Sequence, residues 1–249
     1  MTFTARKTCM ELLDLAELQD NRILAALPLE DQERLLPALT RVMLPIKTVL
    51  FEPGQAIGVI HFPLSGVVSL VAPLEDGAIV EVATIGNEGI VGIPLEPGGG
   101  SLGVRAISQV TGHAARMDAS RFLAEVDGSS RLGVLIRRYL PALFGQIAQA
   151  AACNRLHSNE ERLSRWLLMS HDRVGRDQFA ITHEFLGQML GSRRATVTLS
   201  AGVLQAAGLI RYRRGLVVIL DRQGLEEVAC ECYAVVRRGL ERVFAQPLS

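Results

Sequence analysis

The sequence predicts an α+β chain in three parts. Short helices lead into an antiparallel β-sandwich or small barrel, one long helix follows, and a compact helix–turn–helix with a β-hairpin closes the chain. Three observations carry this. From Val42 to about Met117, short β-like runs alternate with turns, and Gly or Pro punctuates them about every 8–12 residues, the rhythm of a sandwich or barrel. From Arg131 the apolar residues recur at steps of three and four, the helical period. From Phe179 to Leu220, two short helical patterns flank Gly191, then an apolar pair, an Arg-rich turn and an apolar run follow, the order of a winged helix-turn-helix.

Composition sets the bounds. The 249 residues are 49% hydrophobic and 21% charged, enough to bury a sizeable core in two domains. The formal net charge is zero, which excludes a generally basic, histone-like protein. No run approaches the ~18 apolar residues of a membrane span, and the polar N-terminus lacks the apolar core of a signal peptide. A cytoplasmic protein with no membrane partner is expected. The cysteines are Cys9, Cys153, Cys230 and Cys232. Their linear spacing matches no zinc or iron–sulfur pattern, and Cys230 and Cys232, two apart on a helical pattern, are expected on different sides. Free thiols and no metal site follow as the expectation. The five histidines add no pair at ligand spacing. No P-loop, GxGxxG or nucleophile–base set is visible, so neither an enzyme nor a cofactor is expected.

In chain order, an acidic start precedes helices expected at 21–27 and 29–39. Within the β region, Glu75-Asp76-Gly77 reads as a hairpin turn, and Gly98-Gly99-Gly100 as a loop. A barrel of this size can enclose a small ligand; the polar candidates for an effector pocket are Glu81, Ser101 and Arg105. The long helix carries Leu132, Leu135, Ile136, Tyr139, Leu143, Ile147, Ala151 and Asn154 as one stripe, with Pro141 expected to bend it. Such a stripe needs a partner along its length: its own barrel or the same helix of a second subunit. The second is favoured, because a two-fold pair presents two reading heads to one palindromic site. Ser158 and Glu161 form a capping box, which places a hinge near His157-Ser158. A last helix is expected at 223–243, with a frayed tail beyond. The expected divisions are 1–128, 129–157 and 158–249.

The C-terminal stretch carries the functional signal. Thr182 is placed to cap the first helix and Ser192 the second. Val197, Ala201 and Leu204 face inward on that second helix, so Arg194, Thr196, Thr198 and Leu199 face out. An Arg at this helix start reads guanine through O6 and N7, worth roughly 1–3 kcal/mol of discrimination. Residues 176–222 hold seven Arg against three acids, a net of +4 on a neutral chain, which points to a polyanion. The base-reading candidates are Arg194, Thr196 and Thr198. Candidates for phosphate contact are Thr182, Ser192, Arg193, Arg211, Arg213 and Arg214. The alternative is a ligand-sensing regulatory module whose winged helix contacts a protein; the basic surface argues against it.

With its elements in this order the sequence resembles the Crp/Fnr family of bacterial transcription regulators over about residues 21–235. The resemblance is strongest in CNRLHSNEERLSRWLL (Cys153 to Leu168) and ITHEFLGQMLGSRRATVT (Ile181 to Thr198), and extends to LPLEDQERLLPAL, FPLSGVVSL and EVATIGNEGIVG. It implies a cyclic-nucleotide-binding-type β-roll, a dimerisation helix and a C-terminal winged helix-turn-helix. It also implies a homodimer on double-stranded DNA at a pseudo-palindromic promoter site, contacting RNA polymerase when it activates. The family's recognition Arg falls on Arg194, while its acidic neighbour is replaced by Ala195. A third base-contact position, Arg in cyclic-AMP-responsive members, falls on Leu199. The Gly-Glu and Arg-Ser pairs of the cyclic-AMP pocket align with Gly92-Ile93 and Gly100-Ser101, so the charge-assisted phosphate partner is missing. Only Cys9 stands where the iron–sulfur type has an N-terminal cluster, and no haem ligand is assignable. The resemblance assigns no effector.

Overall fold

The computed structural model describes residues 11–94 and 103–248. Two one-turn helices, α1 (Leu15–Leu18) and α2 (Arg22–Ala25), precede α3 (Leu29–Leu35). The helix expected at 29–39 ends early, and a 3₁₀ turn over Leu36–Ala38 replaces its last part, where Pro37 has no N–H to donate. Asn21 is fully buried. Its Oδ1 accepts from the Ile23 and Leu24 amides, and its Nδ2 donates to the Pro63 and Gly89 carbonyls at 2.9 and 3.0 Å. One side chain thus caps α2 and pins it to the β domain.

Among the described residues, the β domain pairs eight strands in two four-stranded antiparallel sheets. One has the order β1 (Glu11–Leu12), β2 (Thr40–Leu44), β8 (Gly112–Asp118), β4 (Val59–Pro63); the other β3 (Val49–Phe51), β7 (Arg105–Val110), β5 (Val67–Pro73), β6 (Ile79–Ile85). The non-sequential orders and buried inner faces make this a β-roll. The β5–β6 hairpin turns where expected: Gly77 has φ +85° and the Asp76 carboxylate accepts from the Ala78 amide. The Gly98–Gly100 loop lies outside the described residues, as do Ser101 and Cys9.

Helix α4 (Ala119–Val126) leads to α5 (Arg131–Leu156), which is continuous for 26 residues with Pro141 inside it. Ser130 caps it through the Gly133 amide. Its first half lies on its own β-roll: Leu132, Leu135, Ile136 and Tyr139 are buried, and Gln146 donates to the Thr84 carbonyl at 2.9 Å. The Ser158–Glu161 capping box forms at the start of α6 (Asn159–Val174). Then come β9 (Gln178–Ala180), α7 (His183–Met189), α8 (Arg194–Ala206), β10 (Ile210–Arg213) and β11 (Leu216–Ile219), with strand order β10-β11-β9. The single last helix expected at 223–243 is two helices, α9 (Arg222–Val228) and α10 (Cys232–Phe244), broken by an extended Ala229 with ψ 144°. Helix α10 returns along α5. The tail is tied down: Arg138 donates to the Gln246 and Pro247 carbonyls, and the Arg22 guanidinium lies 4.3 Å over the Phe244 ring.

A buried polar seam joins the β-roll to α6. Arg173 of α6 pairs with Glu88 at 2.7 Å, and both side chains are nearly inaccessible. The same guanidinium donates to the Met169 and Thr84 carbonyls, and Glu88 also accepts from the Gly86 amide. Gly86 and Gly89 have no room for a Cβ, because Arg173 and Tyr139 pack directly against them. Two turns earlier along α6, Glu81 of β6 is enclosed by Ser69, Thr84 and the Trp166 indole, at 2.5, 2.8 and 3.1 Å. The Ser69 hydroxyl has one proton, yet it faces Glu81 Oε2 and Gln109 Oε1, each at 2.5 Å. A protonated Glu81 resolves this: it donates to Ser69, which donates to Gln109. Burial accordingly raises the Glu81 pKa, against the lowering pull of its hydrogen bonds and of Arg165 and Arg173.

Two outcomes follow. Arg173→Ala strands a buried carboxylate, and should cost about 3–5 kcal/mol in denaturant unfolding. For Glu81 the folded state binds more protons than the unfolded chain. Its stabilising contribution is therefore complete below the ordinary value of 4.5 and is lost as pH rises through the raised folded pKa. Glu81→Gln should remove that loss, so that its melting temperature gains on the parent as pH rises. A difference between the two that does not change with pH would contradict the assignment.

Candidate nucleic-acid interface

The helix-turn-helix is built as its residues require. The Thr182 hydroxyl accepts from the Phe185 amide at 3.2 Å and starts α7. Gly191, with φ +57°, makes the turn in the left-handed region. Val197, Ser200, Ala201 and Leu204 bury the inner face of α8. Ser192 does not cap α8 as expected. Its hydroxyl donates to Asn159 Oδ1 at 2.6 Å, tying the turn to the start of α6, and the N-cap is Arg193, which makes no side-chain cap. The first amides of α8 therefore remain free beside two arginines, an arrangement that favours an anion.

The outer face of α8 presents Arg194, Ala195, Thr198, Leu199, Gly202 and Val203 to solvent. Leu199 is 73% exposed and Val203 55%, unusual for large apolar side chains on a packed helix and suited to thymine methyl groups. Thr196 is half-buried. The Thr198 hydroxyl is occupied: it donates to the Arg194 carbonyl at 3.0 Å and meets His183 Nδ1 at 2.9 Å. With its proton spent on the carbonyl, it accepts from His183 Nδ1–H, and it has no proton left to donate to a base. His183 stacks on Tyr212 at 4.0 Å, and burial, then Arg194, lowers its pKa. That pair fastens the start of α7 to the wing and was not singled out from the sequence.

The wing turns at Arg214 and Gly215, with φ +52° and +76°, the two positive angles of a type I′ hairpin. Arg211 and Arg213 alternate to one side of β10, and with Arg214 they are exposed. Among the described residues no carboxylate lies within 4.0 Å of Arg176, Arg193, Arg194, Arg211, Arg213 or Arg214. Arg222, counted in the basic stretch, is held internally by Asp172 at 2.6 Å and by Glu226 at 2.9 Å.

The effector-pocket candidates do not come together. Glu81 and Arg105 flank Val71 in one register row, but Glu81 is buried in the seam with α6 and Arg105 pairs with Glu52 at 2.7 Å; Ser101 is outside the described residues. Of the dimerisation candidates, Leu132, Leu135, Ile136 and Tyr139 are covered by their own chain, which removes them from any outer surface. Leu143, Ile147 and Asn154 are half-buried and Ala151 exposed. The open row of α5 is rotated from that stripe and includes Phe144, 72% exposed, with Ala148 and Ala151. The cysteines also depart from expectation. The break before α10 turns Cys230 and Cys232 to the same side, where they meet Cys153 and His157. No helix among the described residues is long and apolar enough to cross a membrane.

The comparisons agree with this geometry. Residues 161–228 match the Crp-like helix-turn-helix domain. No curated protein sequence matches the chain. Among solved structures, a chain described as a transcriptional regulator of the Crp/Fnr family from Eubacterium rectale aligns at 17% identity and TM-score 0.61, over 84% of this chain and 98% of its own. FixK2 from Bradyrhizobium japonicum aligns at 18% identity and TM-score 0.61, over 77% and 98%. The c-di-GMP responsive global regulator CLP of Xanthomonas campestris aligns at 21% identity and TM-score 0.57, over 75% and 96%. Residues 161–228 are thus a Crp-like helix-turn-helix domain, carried by a chain with the fold of the Crp/Fnr regulators.

Proposed function

We propose that this protein acts in the cytoplasm as a homodimer that reads a palindromic promoter site, one α8 per half-site. Residues 1–128 serve as the sensory part, 129–157 as the dimer helix and 158–249 as the DNA-binding part. The observation that carries this is the surface of α8 and the wing: exposed, unpaired arginines at the helix start and hairpin tip frame an apolar outer face. Arg194 reads a base edge, and Thr196 and Leu199 take part in the same readout through apolar contact. Arg193 and the free amides of α8 meet one phosphate, and Arg211, Arg213 and Arg214 follow the backbone beside it. Thr182, exposed at the start of α7, is placed for a further phosphate.

Pairing runs along the open row of α5, from half-buried Leu140 through Phe144, Ala148 and Ala151 to Arg155. Steps of three and four keep these residues on one face, and the alanines allow close approach. Leu143, Ile147 and Asn154 flank the row. No effector is assigned, and contact with RNA polymerase belongs to the case in which the protein activates.

Arg194→Ala should lower affinity for the cognate site by about 1–3 kcal/mol and leave random DNA nearly unaffected. Arg213→Ala or Arg214→Ala should weaken both alike and flatten the salt dependence by about one counterion. Titrations on cognate and random duplexes at several salt concentrations separate the two; equal losses for Arg194→Ala would remove its base-reading role. Phe144→Arg should give a monomer by sedimentation that still melts cooperatively and binds a full palindrome no better than a half-site. A dimer unchanged by this substitution would place the interface elsewhere.

A further inference from the structure

Cys153 and His157 lie one turn apart at the end of α5, four residues apart and so on one helix face. Cys230 and Cys232 approach from the break between α9 and α10. The three sulfurs and a ring nitrogen all lie within 4.8 Å of one another. Cys153 Sγ is 3.5 Å from Cys230 Sγ, and Cys232 Sγ is 3.5 Å from His157 Nδ1. A tetrahedral ion with Zn–S bonds of ~2.3 Å separates its sulfurs by ~3.8 Å, so the cluster is already close to ligand spacing. We infer that Cys153, His157, Cys230 and Cys232 bind a single tetrahedral soft divalent cation, zinc by the ligand set.

Two independent features support a metal over an idle group of thiols. The outer contacts are those of a metal site. His157 points Nδ1 into the cluster while its Nε2 lies 3.3 Å from the Glu231 carboxylate, and Gln149 donates to Cys232 Sγ at 3.0 Å. The second feature is charge. Arg162 and Arg165 are 7% and 6% exposed. Arg162 donates only to Asn154 Oδ1 and the Leu190 carbonyl, Arg165 to Met169 Sδ, and each leaves its Nε without a partner. Both are within electrostatic reach of Cys153. Neutral thiols would leave Arg162, whose facing opposite charges are Cys153 and Cys230, uncompensated, which is costly. Three thiolates around a dication carry one net negative charge and supply the missing counter-ion.

Four protein ligands close the coordination sphere, which makes the site structural. It joins the end of the long helix, the hinge at His157-Ser158 that opens α6, and the start of α10. The ion clamps the point about which the DNA-binding part would turn. The ion is held by three thiolates and a neutral imidazole, so loading weakens as the pH falls and protons compete for the ligands.

The test uses the full chain, purified under reducing conditions without a polyhistidine tag. Elemental analysis after zinc loading and desalting should find one zinc per chain. Exchange into Co²⁺ should give thiolate-to-cobalt charge-transfer bands and intense tetrahedral d–d bands. Cys153→Ser and the Cys230→Ser/Cys232→Ser pair should abolish both. Glu231→Ala changes a side chain that is 72% exposed and should leave the fold intact while lowering zinc affinity by roughly 10–100-fold. If the cysteine variants do not fold, the parent still decides: bound zinc should protect three thiols from alkylation, and chelation should expose them. No stoichiometric metal, cobalt bands that persist in the cysteine variants, or a Cys153–Cys230 disulfide where zinc is expected would each overturn the assignment. None of these readouts involves DNA, so they stand or fall separately from the regulatory reading.

Discussion

The buried seam between β6 and α6 is the constraint on which the arrangement rests. Arg173 and Glu88 compensate each other's charge where burying either one unpaired would be costly, and Trp166 caps Glu81 from across the same interface. Each of these residues reaches from one structural unit into the other. The seam fixes α6, α6 fixes the helix-turn-helix through Ser192 and Asn159, and the orientation of the arginines on α8 follows. Gly191 packs against Val80 of β6, so the reading head rests on the sheet and is not suspended from a linker.

The fold was largely legible because its signals are local. Alternating runs with turn residues gave the β-roll, steps of three and four gave α5, and the Ser158–Glu161 box marked the start of α6. The turn at Gly191 followed from a residue that tolerates positive φ, and the wing from an Arg-rich turn between two apolar segments. The errors arise where a side chain has a distant partner. Ser192 reads as a cap in sequence, yet the N-cap position falls one residue later on Arg193, and the Ser192 hydroxyl turns to Asn159 on α6. The stripe from Leu132 to Asn154 was one face by spacing, but half of it covers its own β-roll, and periodicity does not distinguish a neighbour in the same chain from one in another. Glu88 and Arg173 are 85 residues apart, and no window of sequence joins them.

The cysteines show the same limit. Read along the chain, Cys153 and His157 are 73 residues or more from Cys230 and Cys232, and a helix drawn straight through Ala229 turns the last two apart. Nothing in the composition of that segment signals the break. Two buried arginines on α6, Arg162 and Arg165, with no salt-bridge partner among the described residues are the complementary clue, and they too become visible only once burial is known.

The claim at the centre of the account is that α8 and the wing read a DNA sequence as a two-fold pair. Selection of binding sites from a random duplex pool with the purified protein addresses it directly. The account predicts enrichment of an inverted repeat whose half-site centres lie about 10 base pairs, one helical turn, apart. Enrichment of a single unrepeated element, or none at low salt, would contradict it.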